Sequence, residues 1–219
     1  MQAIQTLDPE RLKRLRGVFT DIDDTLTDHG KLGFEAYRSL WQLRQAGLLV
    51  IPITGRPAGW CDLIARQWPV SAVIGENGAL AFYEQGDQLQ RLYHPNAADA
   101  AWRQRMQPIE ASLLKQFPEA RVSTDQPFRM FDLAIDFAEE PPLLGLDVAE
   151  RIKSVFEAAG ANCRISSIHV NGWFGDYDKL SMAEYLLQQV WNIDLDVCKE
   201  EFFFCGDSQN DESLFGYFP

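Results

Sequence analysis

The sequence predicts an α/β fold, a parallel sheet with helices on both faces, into which a second α+β unit is inserted. Two observations predict this. Before residue 80, short apolar runs that match buried strands alternate with amphipathic helical segments, as in a parallel sheet with covering helices. From residue 81 to residue 172 the alternation stops, and it resumes near the C-terminus. With 219 residues and 46% hydrophobic side chains, the chain is long enough for a Rossmann-like core and one inserted unit.

The elements of the predicted core follow one another at short intervals. Val18 and Phe19 form an apolar run too short for a buried helix, so they indicate a strand, and this strand ends at a cluster of acids. A helix is expected from residue 33 to residue 46, with Gly47 at the position of a C-terminal glycine. The strand LLVIPITG, the helix AGWCDLIARQW and the strand SAVIG complete this half of the core.

The inserted unit is expected to contain both strands and helices. Its predicted elements are a hairpin around the turn QGD (85–87), a helical region over residues 96–117 that Pro108 kinks or restarts, the strand MFDLAIDF, a helix over residues 147–159, and the strand CRISSIHV. After the insertion, a helix that begins at Lys179 and the strand EFFFCGD return to the core. Near the N-terminus, Asp8 is the predicted N-cap of a short first helix.

Composition argues against several classes of partner and location. The chain carries 20 basic and 32 acidic residues, a net charge of -12, which argues against binding to a nucleic-acid backbone because such binding depends on Lys and Arg. It contains neither an apolar run long enough for a membrane span nor the apolar stretch of a secretory signal. The four cysteines are far apart in sequence and are expected to be reduced thiols. We therefore predict a cytoplasmic protein without a nucleic-acid or membrane partner.

Short polar signatures follow three of the predicted strands: DIDDT (21–25), TGR (54–56) and GDSQND (206–211). In open parallel sheets, ligands bind beyond the carboxyl ends of the strands, so adjacent strands would bring these signatures into one site. Its carboxylates would repel one another and raise their pKa values unless a cation neutralised them. All-oxygen ligation suits Mg²⁺, which often shares a substrate phosphate. The acids expected at this site are Asp21, Asp23, Asp207 and Asp211.

Each signature alone also has an ordinary structural interpretation. An acidic pair after a strand is often a solvated loop or a helix cap, Thr54 and Gly55 are also compatible with a simple turn, and Lys179 with an exposed helix position. Two acids and an amide around a glycine after an FFF strand are harder to explain by packing. Because the signatures occur together, each at a strand end or helix start, they favour a catalytic site.

Four segments together resemble the motifs of a known family: FTDIDDTLT (19–27), ITGRP (53–57), Lys179 and GDSQND (206–211), with GENGA (75–79) as a supporting match. They resemble the haloacid dehalogenase (HAD) superfamily of aspartate-nucleophile phosphohydrolases, and most closely its Cof-type branch, which includes sugar-phosphate phosphatases. The resemblance implies that residues 1–80 and 173–219 form the core and that residues 81–172 form an inserted α/β cap.

The resemblance also implies a role for each motif residue. Asp21 would attack the phosphoryl group to form an aspartyl-phosphate, and Asp23 would protonate the leaving alcohol and later deprotonate the attacking water. Thr54 would hydrogen-bond the phosphoryl oxygens while Lys179 offsets their charge. Mg²⁺ would be held by the Asp21 carboxylate, the Asp23 backbone carbonyl and two further acids. These are Asp207 and, directly or through water, Asp211.

Substrate contacts are expected on both sides of the cleft. On the core side the candidates are Gly55, Arg56, Asn77 and Asn210, the last of which would orient Lys179 or the phosphate. Near the return from the cap the candidates are His169, Asn171 and Trp173, although a strand histidine and a buried tryptophan are also ordinary packing residues. The acid at Asp23 favours a phosphate ester over a halide, because a halide leaves without a proton.

The expected function is hydrolysis of a small phosphorylated metabolite, such as a sugar phosphate, by a monomer or homodimer. A phosphomutase or phosphotransferase would use the same site, and sequence cannot separate these activities from hydrolysis. A receiver-like signalling module also uses a phosphorylated Asp with Thr, Lys and Mg²⁺, but such modules are shorter and uninterrupted. A catalytically silent binding protein is a further alternative, because family members usually continue beyond the point at which this sequence ends, FGYFP.

Overall fold

The computed structural model describes residues 9–97 and 101–218. Its α-helices are α1 (Pro9–Lys13), α2 (Phe34–Gln45), α3 (Ala58–Gln67), α4 (Trp102–Gln116), α5 (Leu146–Ala158), α6 (Lys179–Trp191), α7 (Leu195–Cys198) and α8 (Glu212–Tyr217). Its strands are β1 (Gly17–Thr20), β2 (Thr27–Asp28), β3 (Lys31–Leu32), β4 (Leu49–Pro52), β5 (Ala72–Gly75), β6 (Leu80–Gln85), β7 (Gln88–Tyr93), β8 (Arg121–Val122), β9 (Asp132–Asp136), β10 (Asn162–Ile165), β11 (His169–Trp173) and β12 (Phe202–Cys205). The predicted N-cap Asp8 lies outside the described residues.

The core sheet brings three of the predicted strands side by side. β1 pairs in parallel with β12 on one side and with β4 on the other. Backbone hydrogen bonds from the Ser71 N–H to the Val50 carbonyl (2.7 Å) and from the Thr54 N–H to the Ile74 carbonyl (2.9 Å) continue the sheet from β4 to β5. β6 and β7 extend it with antiparallel pairing. The carboxyl ends of β12, β1 and β4 therefore lie at the same edge of the sheet.

Apolar side chains cover both faces of this sheet. On one face, Met182 and Leu186 of α6 pack with Phe19 in a buried cluster. On the other face, Ile64 of α3 packs with Val73 in a second cluster. Burial of these aliphatic and aromatic groups stabilises each helix against the sheet by about 25 cal/mol for each Å² of apolar surface removed from water. The parallel-sheet core with helices on both faces is confirmed.

The predicted hairpin forms at the expected turn, but its strands extend the core sheet. β6 pairs with β5 over its first four residues, from Gly75 opposite Leu80 to Ala72 opposite Tyr83. A strand hydrogen-bonded along a sheet moves with that sheet. We therefore propose that the inserted unit begins after Tyr93, whereas the division at residue 81 stays a prediction.

The inserted unit is a four-stranded antiparallel sheet, in the order β10–β11–β9–β8, covered on one face by α4 and α5. Side chains on alternate positions of the strands, such as Ile135 and Val170, pack against Ile152 and Phe156 of α5. The opposite face carries polar residues, among them His169 and Asn171 on β11, Asp132 and Asp136 on β9, and Arg164 on β10. This polar face turns toward the core.

Two local predictions in the inserted unit are wrong. The segment predicted as one strand, CRISSIHV, is a hairpin, because the Ser166 hydroxyl accepts hydrogen bonds from the backbone N–H groups of Ile168 (3.3 Å) and His169 (2.9 Å) and so closes a turn. Pro108 lies inside α4, which is continuous from Trp102 to Gln116, so it does not restart the helix, and the kink stays a prediction. The start of the predicted helical region is also wrong, because Pro95–Ala97 forms a short 3₁₀ turn.

Among residues 9–97 and 101–218, no helix has both the length and the apolar character that a bilayer crossing requires. The predicted cytoplasmic location and the predicted monomer or homodimer stay predictions.

Candidate active site

The carboxyl edge of the core sheet brings the distant signatures together. Asp21 directly follows β1, and its backbone N–H donates to the Cys205 carbonyl at the end of β12 (2.8 Å). Thr54 follows β4, and Lys179 is the first residue of α6. Asp207 lies two residues after β12. The polar residues that follow the three strands and begin α6 therefore lie in one cleft.

Lys179 lies at the centre of this cleft and is 1% exposed. Its Nζ donates to Oδ1 of Asp21 (2.7 Å), to Oδ1 of Asp211 (2.6 Å) and to Oδ1 of Asn210 (3.3 Å). Burial by itself would lower the pKa of Lys179, but the two carboxylates raise it above its usual value. The lysine is therefore a buried, charged ammonium that binds two acids, one after β1 and one after β12.

The position of Lys179 depends on the start of α6. The side chain of Asp178 accepts a hydrogen bond from the Ser181 N–H (2.8 Å), and the Ser181 hydroxyl accepts one from the Asp178 N–H (2.9 Å). The GENGA turn packs directly on this cap. At Gly78, whose φ is +108°, an added Cβ would lie 2.0 Å from the Asp178 carbonyl oxygen, so only glycine permits this approach.

Three carboxylates converge beside the lysine. Oxygen atoms of Asp21, Asp207 and Asp211 all lie within 4.8 Å of one another. Burial raises the pKa of Asp21 to about 7, with Lys179 opposing the shift and Asp211 adding to it. Burial also raises the pKa of Asp207, and the charge of Asp211 adds to that shift. Hard carboxylate oxygens that are destabilised by each other's charge fit a divalent cation such as Mg²⁺.

Asp211 is more constrained than the other two acids. It is fully buried, its Oδ1 accepts from Lys179, and its Oδ2 accepts from the backbone N–H groups of Asp207 (3.2 Å) and Ser208 (3.4 Å). The same carboxylate therefore shapes the loop that carries Asp207. Asp207 itself is more exposed and accepts a hydrogen bond from the Thr25 hydroxyl (3.4 Å).

The carboxylate of Asp23 lies outside the group of three and is bound by Arg56. Nε and Nη2 of Arg56 lie 2.9 Å and 2.8 Å from the two oxygens of Asp23, in a bidentate ion pair. The third nitrogen, Nη1, donates to Oε1 of Glu139 in the inserted unit (2.7 Å). The indole ring of Trp60 lies 4.3 Å from the Arg56 guanidinium carbon. The proposed metal contact of the Asp23 backbone carbonyl stays a prediction.

The loop after β4 and the GENGA turn lie against each other. The Thr54 hydroxyl is buried and accepts a hydrogen bond from the Arg56 N–H (3.0 Å). A Cβ on Gly55 would lie 3.2 Å from the side-chain oxygen of Asn77, so the glycine allows close packing here. Asn77 accepts from Asn210 (3.4 Å), while its own amide nitrogen is buried and without a hydrogen-bond partner among the described residues.

A narrow cavity separates these core residues from the polar face of the inserted unit. Its core side is lined by Asp21, Asp23, Gly55, Arg56, Ser208 and Asn210. Its other side is lined by the turn Ser166, Ser167 and Ile168 and by His169 and Asn171 of β11. The cavity volume is ≈ 10 Å³, room for about one water. Binding of a metabolite therefore requires the inserted unit to move.

Of the predicted cap contacts, His169 and Asn171 line the cavity and Trp173 does not. Trp173 is 2% exposed and stacks on Tyr177, with ring centroids 5.7 Å apart. It also belongs to the apolar cluster at the connections between the core and the inserted unit. Its role in this structure is packing, the ordinary interpretation of a buried tryptophan.

Sequence reasoning missed two reciprocal contacts between core and inserted unit. Arg129 of the inserted unit donates to the Gly55 carbonyl (2.9 Å) and pairs with Asp125 and Asp132. Glu76 of the core accepts backbone hydrogen bonds from the inserted unit, as described below. Glu76 stands in the GENGA match and was detectable there. Arg129 carries no comparable local signal, because its partners become apparent only in the fold.

Replacing Glu76 by glutamine is expected to destabilise the protein. The Glu76 carboxylate accepts from the N–H groups of Ala58 (2.9 Å), Met130 (2.8 Å) and Phe131 (2.6 Å). An amide turns one acceptor into a donor that faces these donors, so we expect a loss of about 1–3 kcal/mol. Burial raises the pKa of Glu76 to about 7, so urea unfolding should be measured at about pH 8, where the carboxylate is ionised.

The control for this change is Glu84→Gln on the exposed hairpin. It should change the free energy of unfolding by less than about 0.5 kcal/mol. Equal stability of the two variants would contradict the assigned role of Glu76.

The DxD and GDSQND signatures meet at Lys179 at the carboxyl edge of the parallel sheet, and Gly55 and Arg56 of the TGR signature line the same cavity as Asp21 and Asn210. This is the arrangement of a HAD-superfamily phosphatase of the Cof type, with an α/β core and an inserted cap. Within that superfamily, the family model for sucrose-6F-phosphate phosphohydrolases matches residues 16–217. The chain belongs to this family.

Solved structures of known phosphatases share the fold. The sucrose-phosphatase of Synechocystis sp. PCC6803, determined with sucrose and phosphate, has 16% identity and a TM-score of 0.58, over 92% of this chain and 80% of that one. The C-terminal domain of the trehalose-6-phosphate phosphatase of C. albicans has 14% identity and a TM-score of 0.69, over 95% and 75%. A HAD-superfamily phosphatase of Bacteroides thetaiotaomicron has 18% identity and a TM-score of 0.62, over 97% and 85%. No curated protein matches the sequence significantly.

Proposed function

We propose that this protein is a Mg²⁺-dependent phosphatase that hydrolyses a small sugar phosphate through an aspartyl-phosphate on Asp21. The observation that carries the proposal is the contact of Asp21 with Lys179 (2.7 Å) at the wall of the cavity, beside two further carboxylates. The description of the matched family and the sugar phosphatases among the structural relatives support a sugar phosphate as the substrate.

In the first chemical step, a carboxylate oxygen of Asp21 attacks phosphorus and the bond between phosphorus and the ester oxygen breaks. The leaving oxygen takes a proton from Asp23, which lines the same cavity: Oδ2 carries this proton while Oδ1 keeps its contacts with Nε (3.1 Å) and Nη2 (2.8 Å) of Arg56. In the second step, water attacks phosphorus, Asp23 takes its proton, and the carboxylate of Asp21 is released with inorganic phosphate. Because the displacement is divided into two steps, Asp23 acts as the acid in the first step and as the base in the second.

The other core residues bind and orient the phosphoryl group. Lys179 supplies a positive charge that is already buried and oriented, so little reorganisation is needed when the phosphate arrives. The Thr54 hydroxyl has its oxygen fixed by the Arg56 N–H, which leaves its proton to donate to a phosphoryl oxygen. The side-chain oxygen of Asn210 accepts a hydrogen bond from the Lys179 ammonium (3.3 Å) and helps to orient it.

Asp21, Asp207 and Asp211 are the residues that would hold Mg²⁺, together with the Asp23 carbonyl. Because both Asp211 oxygens already accept protein hydrogen bonds, a contact through water suits this residue. When bound, Mg²⁺ supplies charge that offsets the phosphoryl oxygens and the clustered carboxylates.

The proposal is tested by phosphate release from sucrose 6-phosphate, trehalose 6-phosphate, glucose 6-phosphate and p-nitrophenyl phosphate, with Mg²⁺ and with EDTA. We expect release that requires Mg²⁺ and that is fastest with one sugar phosphate. Transfer of phosphate to a second sugar without release would identify a phosphotransferase instead. Release of equal rate in EDTA, or no release from any ester, would contradict the proposal.

The affinity for Mg²⁺ is expected to rise with pH. The pKa of Asp21 is raised to about 7 by burial, so below this pH the metal must displace a proton. The apparent dissociation constant should fall by up to about tenfold per pH unit below about pH 7 and level off above about pH 8. Calorimetric titration in buffers of different ionisation enthalpy should show proton release on binding. An affinity that is constant from about pH 6 to about pH 8 would contradict the raised pKa.

A further inference from the structure

Arg56 connects the general acid of the core to the inserted unit. Nε and Nη2 of its guanidinium donate hydrogen bonds to Asp23, and Nη1 donates one to Glu139, which follows β9. The arginine side chain is 5% exposed, so these ion pairs are largely shielded from water. A second acid of the inserted unit, Asp125, lies 3.7 Å from the same Nη1. Arg56 thus takes its acidic partners from both sides of the cleft.

Glu139 is itself held in place. Its backbone N–H donates to Oδ1 of Asp136 (2.9 Å), and its Oε2 lies 2.8 Å from Nε2 of His169. Although burial opposes ionisation, contact with His169 and Arg56 lowers the pKa of Glu139 to about 2. The residue therefore carries its charge at neutral pH and presents it to Arg56 from a fixed position.

The contact of Glu139 with Arg56 lies far from the connections between core and inserted unit. At those connections, Phe131 packs with Ala97 and Trp173 in one apolar cluster. Trp173 pairs with Asp132 at the near end of β9, whereas Glu139 follows the far end of this five-residue strand. A strand advances about 3.3 Å per residue, so rotation about the connections moves Glu139 much more than Phe131. Opening of the cleft therefore separates Glu139 from Arg56, while Arg56 and Asp23 stay together on the core.

We propose that Glu139 is a positioning residue: in the closed form it anchors the free edge of Arg56, and through Arg56 it fixes the orientation of the Asp23 carboxylate. The inference rests on the proposed function, since it concerns the acid of that reaction. A guanidinium is a rigid planar fork, and a bidentate carboxylate follows its plane. Without Glu139, Nη1 keeps only its longer contact with Asp125 (3.7 Å), so this edge of the guanidinium plane is held less firmly. Closure over the substrate would then no longer complete the alignment of Asp23.

The test compares two small esters of similar shape that differ in their need for a proton. p-Nitrophenolate is a stable leaving group, whereas phenolate, with a pKa of about 10, depends more on protonation by Asp23. We expect Glu139→Gln to lower kcat for phenyl phosphate by about tenfold, part of the 100-fold or more that a general acid contributes, and for p-nitrophenyl phosphate by about twofold or less. KM should change little for either ester.

Two further variants separate positioning from a general loss of structure. Glu140→Gln changes the neighbouring acid, which pairs with Arg121 and does not contact Arg56, and it should leave both rates as in the wild type. Arg56→Lys should reproduce the selective loss, and adding Glu139→Gln to Arg56→Lys should lower the phenyl phosphate rate no further.

The outcomes distinguish the inference from the proposed function. If the wild type with Mg²⁺ releases phosphate neither from these two esters nor from the sugar phosphates tested above, the proposed function is wrong and the inference falls with it. If the wild type is active but Glu139→Gln lowers both rates equally, or leaves the ratio of the two rates unchanged, the role of Glu139 is wrong and the proposed function stands.

Discussion

Replacing Asp21 by asparagine is expected to lower phosphate release by about 1,000-fold or more. An amide lacks the nucleophilic oxygen that forms the intermediate, whereas the rest of the site stays in place. Lys179 keeps its contact with Asp211 (2.6 Å), so the buried ammonium is not left unpaired. We therefore expect the variant to fold and to bind phosphate esters without turnover. The measurement is kcat with p-nitrophenyl phosphate and Mg²⁺, alongside cooperative thermal unfolding.

A matched control lies three residues away. Asp24 is exposed and adopts a positive φ of 55°, a conformation that asparagine tolerates well. Asp24→Asn makes the same chemical change in the same loop and should keep the wild-type rate within about threefold. If the two variants lose activity to the same extent, loss of the nucleophile does not explain the effect at Asp21.

Replacing Lys179 by methionine is expected to reduce both activity and stability. Methionine has a similar length but no charge, so Asp21 and Asp211 would face each other in a buried site without a cation. Breaking a buried ion pair by removing one partner typically costs about 3–5 kcal/mol. The rate should fall by about 100-fold or more, because the developing charge on the phosphoryl oxygens loses a preorganised donor.

Mg²⁺ should restore part of the lost stability of Lys179→Met, because it supplies positive charge to the same carboxylates. Thermal unfolding with and without Mg²⁺ measures this restoration. Lys153→Met on α5 removes a partly exposed partner of the exposed Glu157 and should cost less than about 1 kcal/mol. Equal destabilisation by the two lysine changes, or no response of Lys179→Met to Mg²⁺, would contradict the described charge balance.

The core and its catalytic edge could be predicted because their signals are local in the sequence. A buried parallel strand is a continuous apolar run, and the carboxyl ends of adjacent parallel strands necessarily share one edge of the sheet. Asp21, Thr54 and Asp207 each stand within two residues of the end of such a strand, so their convergence followed from the fold class. The contact of Lys179 with Asp21, across 158 residues, needed the resemblance as well, since an isolated lysine at a helix start is usually exposed.

The hairpin from β10 to β11 shows why part of the inserted unit could not be predicted. Apolar and polar residues alternate on both sides of Ser166 and Ser167 as they would in a strand, and the turn between them depends on hydrogen bonds that the Ser166 hydroxyl accepts. Serine occurs in strands as well as in turns, so composition does not identify this turn. Its consequence is functional, because the turn places Ser166, Ser167 and Ile168 in the wall of the cavity.

The contact of Glu139 with Arg56 could not be predicted from the sequence either. Its segment, AEEPP (138–142), reads as a polar connection with two acids, and nothing in the local pattern distinguishes Glu139 from Glu140. Only the fold shows that Glu139 binds Arg56 while Glu140 faces Arg121. Contacts between the core and the inserted unit join residues distant in sequence, so they carry no periodic signal from which they could have been predicted.

During turnover we expect the side chain of Asp21 to be transiently phosphorylated. The most direct measurement is mass spectrometry of peptides from protein mixed with a hydrolysed ester and Mg²⁺ and quenched in acid within one turnover. We predict a phosphoryl adduct on the peptide that contains Asp21, at a level that rises and decays with turnover and is missing in Asp21→Asn. Rapid phosphate release with no adduct at that position, or an adduct on another residue, would contradict this prediction.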